Sequence, residues 1–210
     1  MKKIILLLVG ATIVLSLNCF VQAAPCYGTK MPEQKQFFTG VQTHTIFDRD
    51  LEAELGSLRS SQYFWNISYG VYDWLSIDLK GGAGNIKQHP AGSDEIDYPS
   101  GFAGGYGLRL RLYETEKIDV VLGFQHISVH PKYIDIEGLE NKAILDDWQY
   151  CLLASYSFEK FTPYLGAKWS RVDYIHWIED DRKRHMSDLT ESIGLILGTD
   201  INCTSNIWFN

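Results

Sequence analysis

His126, Ser128 and the downstream Glu137 and Glu140 come nearest, by type and spacing, to a set of residues that could do chemistry. Two residues apart in an extended strand, His126 and Ser128 share one face. There the imidazole can take the hydroxyl proton, and a carboxylate that orients the imidazole completes a nucleophile for acyl transfer. Glu140, or Glu137, in the segment after this strand is the candidate carboxylate. No recognisable pattern supplies an oxyanion hole.

Metal chemistry has less support. His126 and His130 stand four residues apart, ~13 Å along a strand, too far for one ion to bridge. There is no Cys-x-x-Cys spacing, so neither a zinc site nor a thioredoxin-like motif is indicated, and no metal or cofactor is expected. Of the four cysteines, Cys19 falls in the leader described below. Cys151 sits mid-strand and inward. Cys26 and Cys203 are expected at one end of the molecule, which makes them the candidate disulfide in an oxidising compartment.

The elements that must position these residues are strands. Tyr63, Trp65, Ile67, Tyr69 and Val71 alternate with Phe64, Asn66, Ser68 and Gly70. Leu75, Ile77 and Leu79 alternate with Ser76, Asp78 and Lys80. Phe102, Gly104, Tyr106, Leu108, Leu110 and Leu112 alternate with Ala103, Gly105, Gly107, Arg109 and Arg111. The same period of two recurs through Val120–Phe124, Trp148–Tyr156, Tyr164–Ser170 and Ile193–Gly198, with hardly any helical stripe after the leader. One face is apolar throughout. The other mixes glycines with charges of both signs, and Asp78, Lys80, Arg109, Arg111, Asp119 and Lys168 are expected to form a charge network inside a closed barrel.

Connections alternate between short turns (72–74, 114–117, 158–161, 202–206) and long acidic segments (48–60, 85–100, 131–147, 178–188). Aromatics (Tyr72, Trp74, Tyr113, Phe158, Phe161) collect at the short-turn ends, as an interfacial girdle would. A soluble exported β-sandwich is the competing architecture, but it would turn the apolar face into a core.

Composition bounds the partners. With 210 residues the chain is one domain; 13% aromatic and 21% charged residues exclude a disordered chain. Nineteen basic against 26 acidic residues, net −7, exclude a backbone-directed nucleic-acid binder. Met1–Ala23 has a basic start at Lys2 and Lys3, an apolar run from Ile4 to Leu17, and the small-residue end Val21-Gln22-Ala23 of a secretory signal. The organisation expected is a signal peptide at 1–23, an N-terminal periplasmic segment at 24–35, and an outer-membrane β-barrel domain at 36–210.

With its signal peptide, its alternating strands, the turn region Gly70-Val71-Tyr72-Asp73-Trp74-Leu75-Ser76-Ile77 and the segment Pro163-Tyr164-Leu165-Gly166-Ala167, the chain resembles the small outer-membrane barrels of the OmpX/OmpA-like porin superfamily of Gram-negative-type bacteria. The resemblance implies an all-β, antiparallel, up-and-down transmembrane barrel in the bacterial outer membrane. Its partners would be outer-membrane lipid and lipopolysaccharide, the barrel-assembly machinery and an unidentified extracellular ligand. Eight strands are visible. Cys203–Asn206 reads as a further turn and Ile207–Asn210 as the start of a ninth strand, so the expectation includes ten strands in an untruncated parent. Such a lumen is filled by side chains, leaving a structural or surface-interaction role for the long acidic loops. The His126/Ser128 pair with a following glutamate is similar to the lipid A 3-O-deacylases. Val129 departs from that family, which has an asparagine after the serine.

Overall fold

The computed structural model describes residues 28–52, 55–187, 192–204 and 207–210. The leader, Cys19 and Cys26 lie outside them. The described residues are all-β, in one antiparallel sheet without helices. Its strands are β1 (Phe37–Asp50), β2 (Ser57–Tyr72), β3 (Leu75–His89), β4 (Ile96–Glu114), β5 (Ile118–His130), β6 (Ile134–Ile136), β7 (Leu139–Tyr156), β8 (Phe161–Ile178), β9 (Asp181–Met186), β10 (Ile193–Asn202) and β11 (Trp208–Phe209). The order across the sheet is β1-β2-β3-β4-β5-β7-β8-β10-β11, with β6 beside β7 and β9 beside β8. Thus β5 and β6 are two lengths of one stave, as are β9 and β10. Eight up-and-down staves curl into a half-barrel, and β11 occupies the place expected for a ninth strand.

The long acidic segments are a correction to the sequence reading, because most of their length is strand. β1 runs to Asp50 and β3 to His89, while β4 starts at Ile96. β6 and β7 close a hairpin over Glu137–Gly138, and β9 folds back on β8 over Glu179–Asp180. The physical reason is that inward positions become apolar as each stave rises towards this end. Leu58, Ile86, Tyr98, Ile127, Val129, Leu145, Val172 and Tyr174 form one buried cluster there. Burial of that cluster favours continued pairing where a polar loop was expected.

At the short-turn end the chain before β1 enters the mouth of the half-barrel. Thr29 and Met31 are buried, and the Thr29 hydroxyl donates to Ser155 Oγ at 2.7 Å. Lys35, with φ 65°, donates its N–H to Gly70 O at 2.7 Å, and Gly70 returns a bond to Gln36 O at 3.0 Å. A Cβ at Gly70 would collide with the backbone carbonyl of Glu33, so a glycine is needed for this approach. Of residues 28–35, expected as part of a periplasmic segment, 28–32 are buried or half-buried in the mouth and 33–35 are exposed at its rim.

Gly70→Ala is therefore expected to dislodge residues 28–36 while leaving the sheet intact. Limited trypsin digestion should cut after Lys30 and Lys35 faster than in the parent chain, with the far-ultraviolet circular dichroism unchanged.

Candidate functional site

Two groups of side chains merit a functional reading, one inside the half-barrel and one on its outer surface. The inner group starts from Asp78 on β3 and Arg109 on β4, whose register sets Ser76 opposite Arg109 and Asp78 opposite Gly107. Gly107 lies against β5, where a Cβ would meet the Phe124 carbonyl at 2.5 Å. Arg109 makes a two-pronged bond to Asp78, Nε to Oδ2 at 2.9 Å and Nη2 to Oδ1 at 2.8 Å. Their side chains are 4% and 0% exposed. Arg109 also donates to Ser68 Oγ at 3.2 Å and to the Lys30 carbonyl at 2.7 Å. Lys30 in turn reaches Asn202 Oδ1 at 3.1 Å and lies 4.2 Å from the centre of the Trp208 ring.

A second layer lies above this one. Lys80 Nζ donates to Gln125 Oε1 at 2.9 Å and to Gln42 Oε1 at 3.1 Å. Gln125 passes a bond to Gln149 (2.7 Å), Gln149 to Asp147 (2.5 Å), and Ser170 donates to Asp147 from β8 (2.8 Å). Above it sits the apolar cluster, tied in by the Tyr174 hydroxyl donating to Gln88 at 2.8 Å. The interior is filled in three layers by the N-terminal segment, the polar ladder and the apolar cap.

The structure places the six charges expected in one network at different points of the interior and its mouth. Asp78 pairs with Arg109 as expected. Lys80 is held by glutamines. Arg111 stands at the mouth, 3.0 Å from Glu114 and 3.9 Å from Asp119. Lys168 is buried and faces inward, in register with Cys151. The amides Gln42, Gln125 and Gln149 and the carboxylate Asp147 were missed. Their signal was their inward phase in the alternation, which a search for charged pairs passes over.

The outer group is the set proposed for acyl chemistry. His126 and Ser128 share the outward face of β5, as the alternation required. Ser128 Oγ lies 2.8 Å from Nε2 of His130, while His126 Nε2 lies 3.6 Å from Asp146 Oδ1. Asp146 is the register partner of Ser128 on β7. Glu140 is ion-paired to Lys142 and lies six residues beyond Asp146, ~20 Å along the strand. Glu137 is in the hairpin turn, with φ 56°. Neither glutamate reaches the serine. The base nearest the hydroxyl is His130, and the carboxylate faces the other imidazole. His126 packs on Trp148, with ring centres 4.1 Å apart, and on Tyr106 at 5.3 Å.

Cys203 is exposed in the last short turn, and its suggested partner Cys26 lies outside the described residues. Among the described residues no group of three or more potential ligands could hold a metal ion. Comparison with protein-family models and with curated proteins finds no match to this chain.

Arg109→Met is expected to leave the Asp78 carboxylate buried without its partner and to destabilise the fold by about 3–5 kcal/mol. Asp78→Leu combined with Arg109→Met should cost much less, because no orphaned charge remains. Urea unfolding followed by tryptophan fluorescence in detergent micelles measures both.

Proposed function

We propose that this chain is a non-enzymatic outer-membrane β-barrel with a filled lumen, acting through the ordered hairpins that project from it. The observation that carries this reading is an inversion of polarity along single staves. Over the lower half of the sheet the outward side chains are apolar and open: Leu79 is 56% exposed, Leu165 63% and Leu197 68%. Inward at the same level lie Asp78, Lys80, Arg109, Gln125 and Gln149, all buried. Over the upper half the outward side chains include Arg59, Lys87, Asp97, Lys142, Arg171 and Arg184, and the interior is dominated by the apolar cluster, with Arg49, Gln88 and Asn141 also buried there. A chain surrounded by water at every level has no use for the lower arrangement. Hydrocarbon below and water above account for both.

Two belts of aromatic side chains support the same reading. Tyr72, Trp74, Tyr113, Tyr156, Phe158 and Phe161 ring the short-turn end, and Tyr63, Tyr106, Trp148 and Trp169 ring the level where outward charge begins. Phe161 to Trp169 is a length suited to a tilted membrane strand of ~9–11 residues. In this reading Met1–Ala23 directs export, the barrel-assembly machinery inserts the chain, and outer-membrane lipid and lipopolysaccharide surround it. Projecting hairpins, carrying charges of both signs, are the surface offered to an extracellular ligand.

The test is recovery of the expressed chain in a washed outer-membrane fraction, with a mobility difference between boiled and unboiled samples on a gel. Leu165→Arg sharpens it. On a lipid-facing stave the substitution should cost about 2–4 kcal/mol near the bilayer midplane and abolish the unboiled form. On the surface of a soluble sandwich it would be silent. Recovery as soluble periplasmic protein would end the barrel reading.

The 2.8 Å contact between Ser128 and His130 favours a second reading, an outer-leaflet acyl hydrolase with Ser128 as nucleophile and His130 as base. Mass spectra of lipid A from cells expressing the parent chain and Ser128→Ala decide it. A change in acyl pattern that Ser128→Ala abolishes would establish the hydrolase, and identical patterns would remove it.

A further inference from the structure

The two edges of the sheet are its least satisfied part. Among the described residues the backbone ladder of β1 is with β2, and that of β11 with β10 spans Ile201 and Asn202. Over Ile193–Asp200 the other edge of β10 faces the seam. At the upper end the two sides are clasped. Leu51 and Ser187 form an antiparallel bridge, and Glu52 N donates to Met186 O at 2.8 Å. Arg49 reaches across to Ser170 O at 2.8 Å and to Ser187 Oγ at 3.2 Å, and Arg171 binds Glu52 at 3.0 Å. The seam is clasped at the top; at its foot Phe38 of β1 packs on Trp208 of β11, ring centres 4.7 Å apart, and between the two, among the described residues, no ladder joins β1 to β10.

The clasp sets a register for the rest. Leu51 N donates to Gly56 O, and Ser187 N donates to Val172 O, so each side of the clasp is tied to a known position on its neighbour. Five residues down β2 from Gly56 is Ser61, the partner of Thr45. Five residues down β8 from Val172 is Ala167, the partner of Leu195. Thr45 is therefore level with Leu195, Thr43 with Leu197, Val41 with Thr199 and Thr39 with Ile201.

In all four pairs both side chains face outward, and the pairs between them (His44 with Ile196, Gln42 with Gly198, Gly40 with Asp200) face inward. A slip of one residue would set every apolar outward residue against an inward one. Neither the bulge in β1 nor the extra residues between β9 and β10 disturbs this phase, because both were counted through the neighbouring strands.

We propose that β1 and β10 are each other's partner: in the bilayer they zip downward from the Leu51–Ser187 bridge in this register and close the eight staves directly. This rests on the membrane reading, since open strand edges do not persist in hydrocarbon. β11 competes for the foot of the seam, because Phe209 occupies the position opposite Ile201 that Thr39 takes on closure. Closure therefore exchanges a two-residue ladder for a strand-length one.

Paired cysteines test it, in a chain whose native cysteines are replaced by serine, expressed, fractionated and then oxidised in isolated membranes. Thr43→Cys with Leu197→Cys and, as a second pair, Thr45→Cys with Leu195→Cys should form intramolecular disulfides, as directly opposed residues ~4.5–5.5 Å apart do. Leu165→Cys with Leu197→Cys, opposed within the sheet, reports that the chain has folded. Thr43→Cys with Ile193→Cys, four residues out of register, should stay reduced. Ile201→Cys with Phe209→Cys should lose its link as the seam closes.

Silence at both seam pairs while the folding control links would overturn the proposal. So would seam disulfides joining two chains, which would make a second copy the occupant. Fractionation reads the membrane reading separately: protein recovered in the soluble fraction would defeat that reading, and the same cysteine pairs in that material would still decide the seam.

Discussion

The bond between Arg109 and Asp78 is the constraint on which the lower half of this molecule depends. Neither group has water to fall back on, so each must be satisfied by protein. Asp78 uses two of the guanidinium N–H groups, Ser68 shares one of the same nitrogens, and the third nitrogen is directed at the Lys30 carbonyl. One side chain thereby holds three adjacent strands and the segment that fills the mouth. That segment is docked by a charge in the barrel wall, and its own Lys30 then holds β10 and β11 through Asn202 and Trp208. Removing the fork would free the Lys30 carbonyl and with it the hold of Lys30 on β10 and β11.

Above that layer the interior changes character by degrees. Lys80 donates to the side-chain amides of Gln42 and Gln125, whose oxygens offer dipoles to a buried ammonium. The glutamine ladder carries the connection across β5 and β7 to Asp147, and Ser170 joins it to β8. Higher still, the apolar cluster fills most of the interior beside the buried Arg49, which donates to Ser170 O and Ser187 Oγ, and the outer surface carries ion pairs. Under the proposed membrane setting the two halves would obey one rule in two solvents, with charge on the face towards water and none on the face towards hydrocarbon. A lumen filled in this way serves to hold the wall in shape, which turns attention for function to the projecting hairpins and the outward surface.

The outward cluster at His126, Ser128, His130 and Asp146 lies where outward charge begins, His126 level with its register partners Tyr106 and Trp148. Its chemistry differs from the arrangement expected of a serine nucleophile, because the histidine facing the carboxylate is not the one facing the hydroxyl. Ser128 and His130 satisfy each other, whereas His126 Nε2 stands 3.6 Å from Asp146 and is buried without a hydrogen bond.

Local pattern determined much of this protein. The period of two placed nearly every side chain on its correct face, including His126 and Ser128 outward and Cys151 inward, because successive residues of a strand alternate whatever their neighbours do. The same pattern located the short turns and the start of β11. It also marked Asp78 and Arg109 as inward residues of opposite charge.

What it left undecided depends on register and on the inside of the curl. Register decided that Asp146, and neither Glu137 nor Glu140, stands beside Ser128, since that neighbour comes from another strand and no spacing along the chain encodes it. The glutamines that hold Lys80 were set by the curvature that brings β1, β3, β5 and β7 around one axis. The length of the hairpins was hidden for a related reason. Acidic residues 131–147 look like a solvated loop until the apolar residues between them are seen to meet Val172 and Tyr174 from β8. Alternation is a property of one strand, whereas pairing, curvature and filling belong to the sheet as a whole, and only the tertiary structure could supply them.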